Sequence, residues 1–312
     1  MFVKRHRSRV RWARPVLAAL AVTCLSGAPT ASADPVAGCA PAVATPVLPA
    51  QVPILDWSEN VTFDADGNLW VARLYRNAVQ RYDRTGALTA TVPVEFPGAL
   101  RLGPDGLLYV VYGDAPTSAI RPGGVVRFDP RVAQPRPEVF VDGLASMPNG
   151  AAFGPDGALY IAATNAGVIK VRADGTIDAE WTARAAGSGG GSGANGIVIR
   201  DRTIYLTANG SALGQVVGIA IDAPERRAVL ADLTTGVAGI PDFADDLLID
   251  DAGILYVTTL SGKLVRVDPS GGAVCTVLTG QPMTSVVAVP GQRDELFVGT
   301  EVGTVLNVRL AR

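Results

Sequence analysis

The sequence has 312 residues, with 27 Lys or Arg, 29 Asp or Glu and a single His. Six of the basic residues and no acidic residue lie in positions 1–33, so positions 34–312 carry 21 basic against 29 acidic side chains, a net charge near −8. A chain this acidic is not expected to bind nucleic acid or an anionic membrane. Because His6 also lies in the first segment, the remainder cannot supply a Ser-His-Asp triad, a Cys-His pair or a His-ligated zinc.

The first 33 residues have the pattern of an export signal. A basic stretch precedes an apolar run at residues 16–25 that is too short to span a bilayer, and residues 31–33 read Ala-Ser-Ala, a small-residue cleavage signal. We therefore predict cleavage after Ala33 and a secreted protein. Lipid attachment at Cys24 is the less favoured alternative, because Ala21 and Thr23 fit a lipobox poorly.

Two cysteines remain after the signal, Cys39 and Cys275. In an oxidising compartment such a pair predicts a disulfide. The alternative is two unpaired cysteines that act as small hydrophobic residues.

Residues 34–312 consist of short alternating apolar runs separated by Gly, Asp and Pro, without helical periodicity. This pattern favours an all-β domain. The motif FDADGNLWVAR, which begins at Phe63, recurs in varied form from Leu102, Phe153, Ile199, Ile249 and, more weakly, Val289. Six units of four antiparallel strands predict a single six-bladed β-propeller.

The last unit ends one strand short, at Arg312. The stretch AVATPVLP at residues 42–49 can provide the missing outer strand and so close the ring. This arrangement would bring Cys39 close to Cys275 in the fifth blade, so that the disulfide would fix the closure.

One position in each repeat is expected to face the central channel, four residues before the apolar residue that ends the first strand. These positions are Glu59, Gly98, Asn149, Asn195, Asp245 and Ser285. With Asp246 next to Asp245, the set offers oxygen ligands, which suit Ca²⁺ first, then Mg²⁺ or Mn²⁺, with Zn²⁺ the poorest match. The alternative is a water-filled polar channel whose side chains hydrogen-bond one another.

Loops on one face are expected to surround this channel mouth. They contain YGDAPTSAIRPGG, ARAAGSGGGSGA and LTTGVAGIPDFA, and binding residues often lie on such loops. Trp57, Trp70 and Trp181 are interpreted as packing residues rather than as a platform for a ligand.

Four stretches carry a resemblance to a known family: SENVTFDADGNLWVA, MPNGAAFGPDGALYIA, ANGIVI and DDLLIDDAGILYV. They resemble the senescence-marker-protein/gluconolactonase (regucalcin-like) family and its paraoxonase-like and strictosidine-synthase-like relatives, over essentially all of residues 34–312. The resemblance implies that Glu59, Asn195 and Asp245 bind a divalent metal and that Asn149 contacts metal or substrate. Asp246 stands where paraoxonase-like members have a further ligand and gluconolactonases often have Gly.

The resemblance implies hydrolysis of a lactone or related ester, a small-molecule substrate. A metal ion would polarise the carbonyl while Asp245, or second Asp246, takes a proton from water; Ser285 and Asn149 are assigned to substrate binding. Paraoxonase catalysis also needs a histidine pair that this chain lacks, so a close match to paraoxonases is not expected. Two alternatives remain open: a metal-free strictosidine-synthase-like enzyme, and a noncatalytic extracellular propeller that binds a ligand or protein. A monomer is expected.

Overall fold

The computed structural model describes residues 39–186, 193–209, 214–233, 242–271 and 273–311. The predicted export signal with its predicted cleavage point, the candidate lipidation site Cys24 and the Gly-Ser stretch at 187–192 lie outside the described residues. Among the described residues, no helix is long and apolar enough to cross a membrane.

The first three blades follow one another along the chain, each starting at the central channel. Blade one contains β2 (Ser58–Phe63), β3 (Leu69–Arg73), β4 (Ala78–Tyr82) and β5 (Leu88–Pro93). Blade two contains β6 (Leu100–Leu102), β7 (Leu108–Tyr112), β8 (Gly123–Phe128) and β9 (Glu138–Leu144). Blade three contains β10 (Pro148–Phe153), β11 (Leu159–Ala163) and β12 (Gly167–Val171).

The other three blades complete the ring. Blade four contains β13 (Ala194–Arg200), β14 (Thr203–Ala208), β15 (Gln215–Ala220) and β16 (Ala223–Asp232). Blade five contains β17 (Ala244–Ile249), β18 (Leu255–Thr259), β19 (Lys263–Val267) and β20 (Val274–Thr279). Blade six contains β21 (Met283–Ala288), β22 (Glu295–Thr300), β23 (Val305–Arg309) and the N-terminal β1 (Val43–Leu48). The predicted six-bladed all-β propeller is confirmed.

Closure of the ring follows the sequence prediction. Strand β1 pairs antiparallel with β23, from Val43 opposite Arg309 to Leu48 opposite Val305. Cys39 is joined to Cys275 on the outer strand of blade five, with 5.6 Å between their Cα atoms. The first and last strands therefore share one sheet, and the disulfide ties that sheet's N-terminal strand to its neighbour.

Blade three departs from the expected four strands. After β12 the chain forms the helix α1 (Ala179–Ala186), which buries Trp181 and Ala185, four residues apart on one face. The Trp181 indole donates a hydrogen bond to the carbonyl of Ile221, at 2.7 Å, and packs edge-on against Tyr160. A helix can replace an outer strand because that position needs only one apolar face directed at the core.

The hydrophobic core lies between neighbouring blades. Trp70 is fully buried between blades one and two, where its ring packs against Phe128. Its indole nitrogen donates to Asp64, whose carboxylate also accepts backbone N–H groups of the Asp-Gly turn. The repeated motif thus combines a turn with an anchored aromatic residue, and the packing interpretation of Trp70 and Trp181 is confirmed.

Candidate active site at the mouth of the central channel

Four of the expected channel residues occupy equivalent places in their blades. Glu59, Asn149, Asn195 and Asp245 are each the second residue of an innermost strand. At this residue the pairing with the next strand shifts register in all four blades. Such bulges re-aim side chains, so the repeat presents these four residues at one end of the channel.

The sixth blade differs by one residue. Met283 pairs with Thr300 and the next pair is Ser285 with Gly299, so Thr284 occupies the irregular place and Ser285 lies one residue beyond it. The Thr284 hydroxyl donates to the carbonyl of Ser58 in blade one. Placing Ser285 at the ring position was therefore wrong. The error arose because the turn after β21, residues 289–294, is longer than in the other repeats.

Two glycines allow the inner strands to approach one another closely. A Cβ atom at Gly150 would lie 2.2 Å from the Asn195 carbonyl oxygen, and one at Gly196 would lie 2.5 Å from the Asp246 Cα. Backbone cannot move aside as a flexible side chain can, so any larger residue would push the blades apart. The Asn-Gly pairs in PNG and ANG thus serve packing around the channel, and neither forms a hairpin turn.

Glu59 is the centre of a buried polar cluster that includes one residue absent from the expected ring. Its carboxylate accepts hydrogen bonds from the Trp57 indole, at 2.5 Å, and from Asn149 Nδ2, at 2.9 Å. The same Asn149 Nδ2 donates to Asp114 Oδ2 at 2.8 Å. Asp114 follows β7 in the connection to β8, so a loop of blade two adds a second carboxyl group beside Glu59.

Burial and mutual repulsion dominate the electrostatics of this cluster. Burial, and then the neighbouring Glu59 carboxyl, raise the pKa of Asp114 well above its usual value. Burial also raises the pKa of Glu59, although hydrogen bonds from Trp57 and Asn149 oppose the shift. For Asp245, burial followed by the charge of Glu59 raises the pKa strongly. The carboxyl groups therefore lie close enough to influence one another, in an environment where a cation would stabilise their charged forms.

Asp246 lies in a different set of contacts. Its Oδ2 accepts a hydrogen bond from Asn60 Nδ2 at 3.2 Å, and Arg101 Nη2 lies 3.7 Å from its Oδ1. Arg101 also donates to Asn60 Oδ1 at 2.9 Å. Burial raises the pKa of Asp246 while Arg101 opposes that shift. The Arg101 guanidinium thus already balances the charge of Asp246, the residue that the sequence suggested as a further metal ligand and as the second candidate for the base.

The neighbouring backbone holds Asp245 and Asn195 in place. The Thr207 hydroxyl donates to the Asp245 carbonyl and accepts a hydrogen bond from the Gly196 N–H at 2.7 Å, which links blades four and five. Asp245 is buried, and Asn195 is half-buried. Within the described part of the chain, no three Asp, Glu, His or Cys side chains form a metal cage. An ion at this position would therefore need amide oxygens from Asn149 and Asn195.

The channel mouth also includes aromatic residues that sequence reasoning did not assign to it. Trp57, interpreted as a packing residue, lies half-buried at the mouth with its ring 5.4 Å from that of Tyr75 in an edge-on contact. Burial and then the charge of Glu59 raise the pKa of both Tyr75 and Asp245, and the charge of Glu301, in the turn after β22, adds a smaller contribution to each. Only the loop segment YGDAP gave a signal for Asp114, because loops do not share the repeat's register.

A separate surface cleft lies away from the channel mouth. It has a volume of about 520 Å³ and lies on the opposite face, at the Asp-Gly turns between blades one and six. Phe63, Tyr82 and Phe297 contribute to its wall. Because none of the clustered carboxyl groups lines it, we assign the candidate site to the channel mouth.

Comparisons with known proteins show which solved structures share this fold. No family model and no curated protein matches the sequence. A gluconolactonase from Xanthomonas campestris has a similar structure, with a TM-score of 0.63, 16% identity and coverage of 89% of this chain and 98% of that one. A calcium-binding protein, regucalcin, from Agrobacterium tumefaciens has a TM-score of 0.64 and 17% identity, with coverage of 88% of this chain and 96% of that one. A PQQ-bound aldose sugar dehydrogenase from Streptomyces coelicolor has a TM-score of 0.58 and 17% identity, with coverage of 88% of this chain and 100% of that one.

These similarities show the fold. The structural neighbours include gluconolactonase and regucalcin propellers, in agreement with the resemblance seen in the sequence. At this level of identity, and with a dehydrogenase among the neighbours, the fold is compatible with more than one chemistry. The function must therefore be argued from the residues at the channel mouth.

Proposed function

We propose that this protein is a metal-dependent hydrolase of a lactone or a related ester. The observation that carries the proposal is the buried contact of Glu59 and Asp114 through Asn149 at the mouth of the channel. Buried carboxyl groups that repel one another are unfavourable without a counter-charge, and such clusters are typical of functional sites.

The residues present fit a divalent ion that prefers oxygen ligands. Because no three carboxylates of the described residues converge, the ion would take at most two of Glu59, Asp114 and Asp245. Asn149 and Asn195 would add amide oxygens, so that Ca²⁺ is the first candidate, followed by Mg²⁺ and Mn²⁺ and then by Zn²⁺. The buried Asp114 Oδ1 makes no hydrogen bond to the described residues, which leaves it available as a ligand. Asp246 is the weakest member of the proposed ligand set, because Arg101 already balances its charge.

Such an ion, when bound, would polarise the carbonyl of the ester and stabilise the oxyanion that forms from it. Asp245 is our candidate for the general base, which takes a proton from the attacking water as the new C–O bond forms. Burial and then the charge of Glu59 raise the pKa of Asp245, and a carboxylate with a raised pKa is a stronger base. Asn149 would orient the substrate carbonyl, and Ser285 remains a weaker substrate-contact candidate because its hydroxyl is fully buried beside Gly299.

The proposed setting is extracellular, with a monomeric protein acting on a small molecule. The Cys39–Cys275 disulfide supports export, since such bonds persist in oxidising compartments. The export signal itself remains a prediction from the sequence.

One observation favours a second candidate. The Asn149 amide group bridges Glu59 and Asp114 through its N–H donors, so these carboxyls have partners without any ion. A metal-free strictosidine-synthase-like enzyme, or a noncatalytic binding propeller, would use the mouth in this form. For Asn149 to bind a metal ion, its side-chain amide must rotate so that the oxygen takes the place of the nitrogen. The orientation of such an amide is inferred from its hydrogen-bond network.

The test is elemental analysis of the purified protein joined to a hydrolysis screen on a panel of lactones and esters. We compare the wild type with Asp245→Asn and with Asp142→Asn, an exposed control of the same chemistry. Bound metal, chelator-sensitive turnover, and a loss confined to Asp245→Asn would support the proposal. A metal-free protein without turnover would refute it and favour the binding module, whereas metal-free turnover would favour the strictosidine-synthase-like alternative.

A further inference from the structure

The outer part of the channel mouth combines aromatic and acidic side chains. Tyr75 is 45% exposed, and its ring packs against Trp57, whose indole holds Glu59. The turn that carries Glu301 abuts the same segment: the Gly303 carbonyl accepts a hydrogen bond from the Ser58 hydroxyl. Glu301, Trp57 and Tyr75 therefore come from three adjacent chain segments of blades one and six and lie beside the carboxyl cluster.

The charges that reach this region are negative. The pKa of the Tyr75 hydroxyl is raised by burial and then by the charges of Glu59, Glu301 and Asp114. Burial and then Glu59 raise the pKa of Glu301. No Lys or Arg among the described residues contributes to either shift. The potential at the mouth therefore favours a cation.

Three other basic residues on this face have carboxylate partners of their own. Arg76 is paired with Asp56, Arg121 with Glu95, and Lys263 with Asp242. The sequence segments 187–192, 210–213 and 234–241 contain no charged residue. The excess charge of the site is thus not offset by the loops that are expected to surround it.

A single divalent ion does not cancel this excess. Glu59, Asp114, Asp245, Asp246 and Glu301 face two guanidinium groups, that of Arg101 and that of the buried Arg73, which donates to the Gly303 carbonyl and the Ser58 hydroxyl, so a bound divalent ion leaves one formal negative charge uncompensated. The buried carboxyl group of Asp114 adds to the negative potential beside this region. It is only 6% exposed, lies against Glu59, and its Oδ1 makes no hydrogen bond to the described residues.

We propose that Trp57, Tyr75 and Glu301 form a subsite for an organic cation, so that the preferred substrate of this site carries a quaternary or protonated amine next to its ester. Aromatic faces attract such cations, and a half-buried carboxylate adds a direct charge interaction. Anionic substrates are repelled by the same groups. This inference deepens the proposed function and rests on it for the identity of the reacting group.

Matched probes separate charge from shape. Choline and 3,3-dimethyl-1-butanol have nearly the same form, but only choline is charged, and 3,3-dimethylbutyrate provides the anion. Titration calorimetry at low ionic strength should show choline binding at least about tenfold tighter than the neutral alcohol, in line with the strength of partly desolvated cation–π contacts. High salt should reduce this difference.

Variants at Glu301 and Tyr75, with one control at Glu138, test the residues of the subsite. Glu301→Gln and Tyr75→Ala should each weaken choline binding by about fivefold and leave the binding of the neutral alcohol unchanged. Tyr75→Phe keeps the ring and should bind choline as the wild type does. Glu138→Gln, on the outer strand of blade two, removes the same charge far from the mouth and should have no effect. Equal binding of both probes, or an equal effect of Glu301→Gln and Glu138→Gln, would overturn the subsite.

Hydrolysis of the matched acetate esters then distinguishes this inference from the proposed function. Selective choline binding without hydrolysis of acetylcholine would support the subsite and count against the hydrolase. Equal hydrolysis of acetylcholine and 3,3-dimethylbutyl acetate, without selective binding, would overturn the subsite and support the hydrolase.

Discussion

Replacing Asp114 by Asn removes one charge from the cluster and preserves its shape. Asn149 Nδ2 lies 2.9 Å from a Glu59 oxygen and 2.8 Å from an Asp114 oxygen, so these two oxygens cannot be more than 5.7 Å apart. Two full charges at that separation repel by about 3 kcal/mol at an effective dielectric constant of 20. The amide that Asp114→Asn introduces could also donate a hydrogen bond to Glu59. Metal-free Asp114→Asn protein should therefore be more stable than the wild type wherever both carboxyls are ionised.

The pH dependence gives the direction of the effect. The folded-state pKa of Asp114 is raised by burial and by Glu59, above an unfolded value near 3.8. A carboxyl with a raised folded pKa contributes stability that is complete below the unfolded pKa and is lost as the pH rises through the folded one. In a chelator, the wild type should therefore lose stability as the pH rises above the unfolded value and through the raised folded pKa of Asp114, and Asp114→Asn should lose less.

Thermal melting followed by circular dichroism, at pH 4.5 and at pH 8 in the presence of a chelator, measures this difference. For a domain of this size about 3 kcal/mol corresponds to about 6–12 °C, expected at pH 8 and not at pH 4.5. At pH 8, Ca²⁺ at about a hundred times its dissociation constant for the wild type should raise the wild-type Tm by about 5–10 °C. The same Ca²⁺ concentration should raise the Tm of Asp114→Asn by less, because the variant has lost a carboxylate ligand. Asp142→Asn is the control, because its side chain is exposed in the same blade. If Asp114→Asn melts at or below the wild-type temperature at pH 8, the repulsion argument is wrong.

Three further predictions concern catalysis and closure. Asp245→Asn should reduce kcat by at least about a hundredfold with little change in Tm, since it keeps the shape and removes the base; equal activity in steady-state assays would exclude Asp245 as the base. Mutating both Cys39 and Cys275 to Ala should cost about 2–5 kcal/mol in denaturant unfolding, and two titratable thiols in unreduced, denatured wild type would contradict the disulfide. Deleting residues 42–49 should lower Tm sharply, because it unpairs β23; a truncated protein that melts with its parent would show that β1 does not hold the ring.

The repeat in the sequence was sufficient for the fold and for part of the site. Its period gave six blades, and the missing last strand required another segment to pair with β23, since an unpaired edge is unfavourable. The same period placed Glu59, Asn149, Asn195 and Asp245 at equivalent positions, because each is fixed by the register of its own blade. The local motif was enough to predict these positions because the same motif occurs in each of the six blades.

The tertiary structure alone decided everything that breaks the repeat. A longer turn shifted the sixth position from Ser285 to Thr284, and α1 replaced the outer strand of blade three. Asp114 reaches Glu59 from a loop with no register to follow, and Arg101 binds Asp246 from another blade. These contacts depend on how closely the blades approach one another, and Gly196 shows how close that approach is where it lies against the backbone of blade five. A sequence pattern reports the period along one chain, whereas the charge of this site results from side chains that meet only when the ring closes.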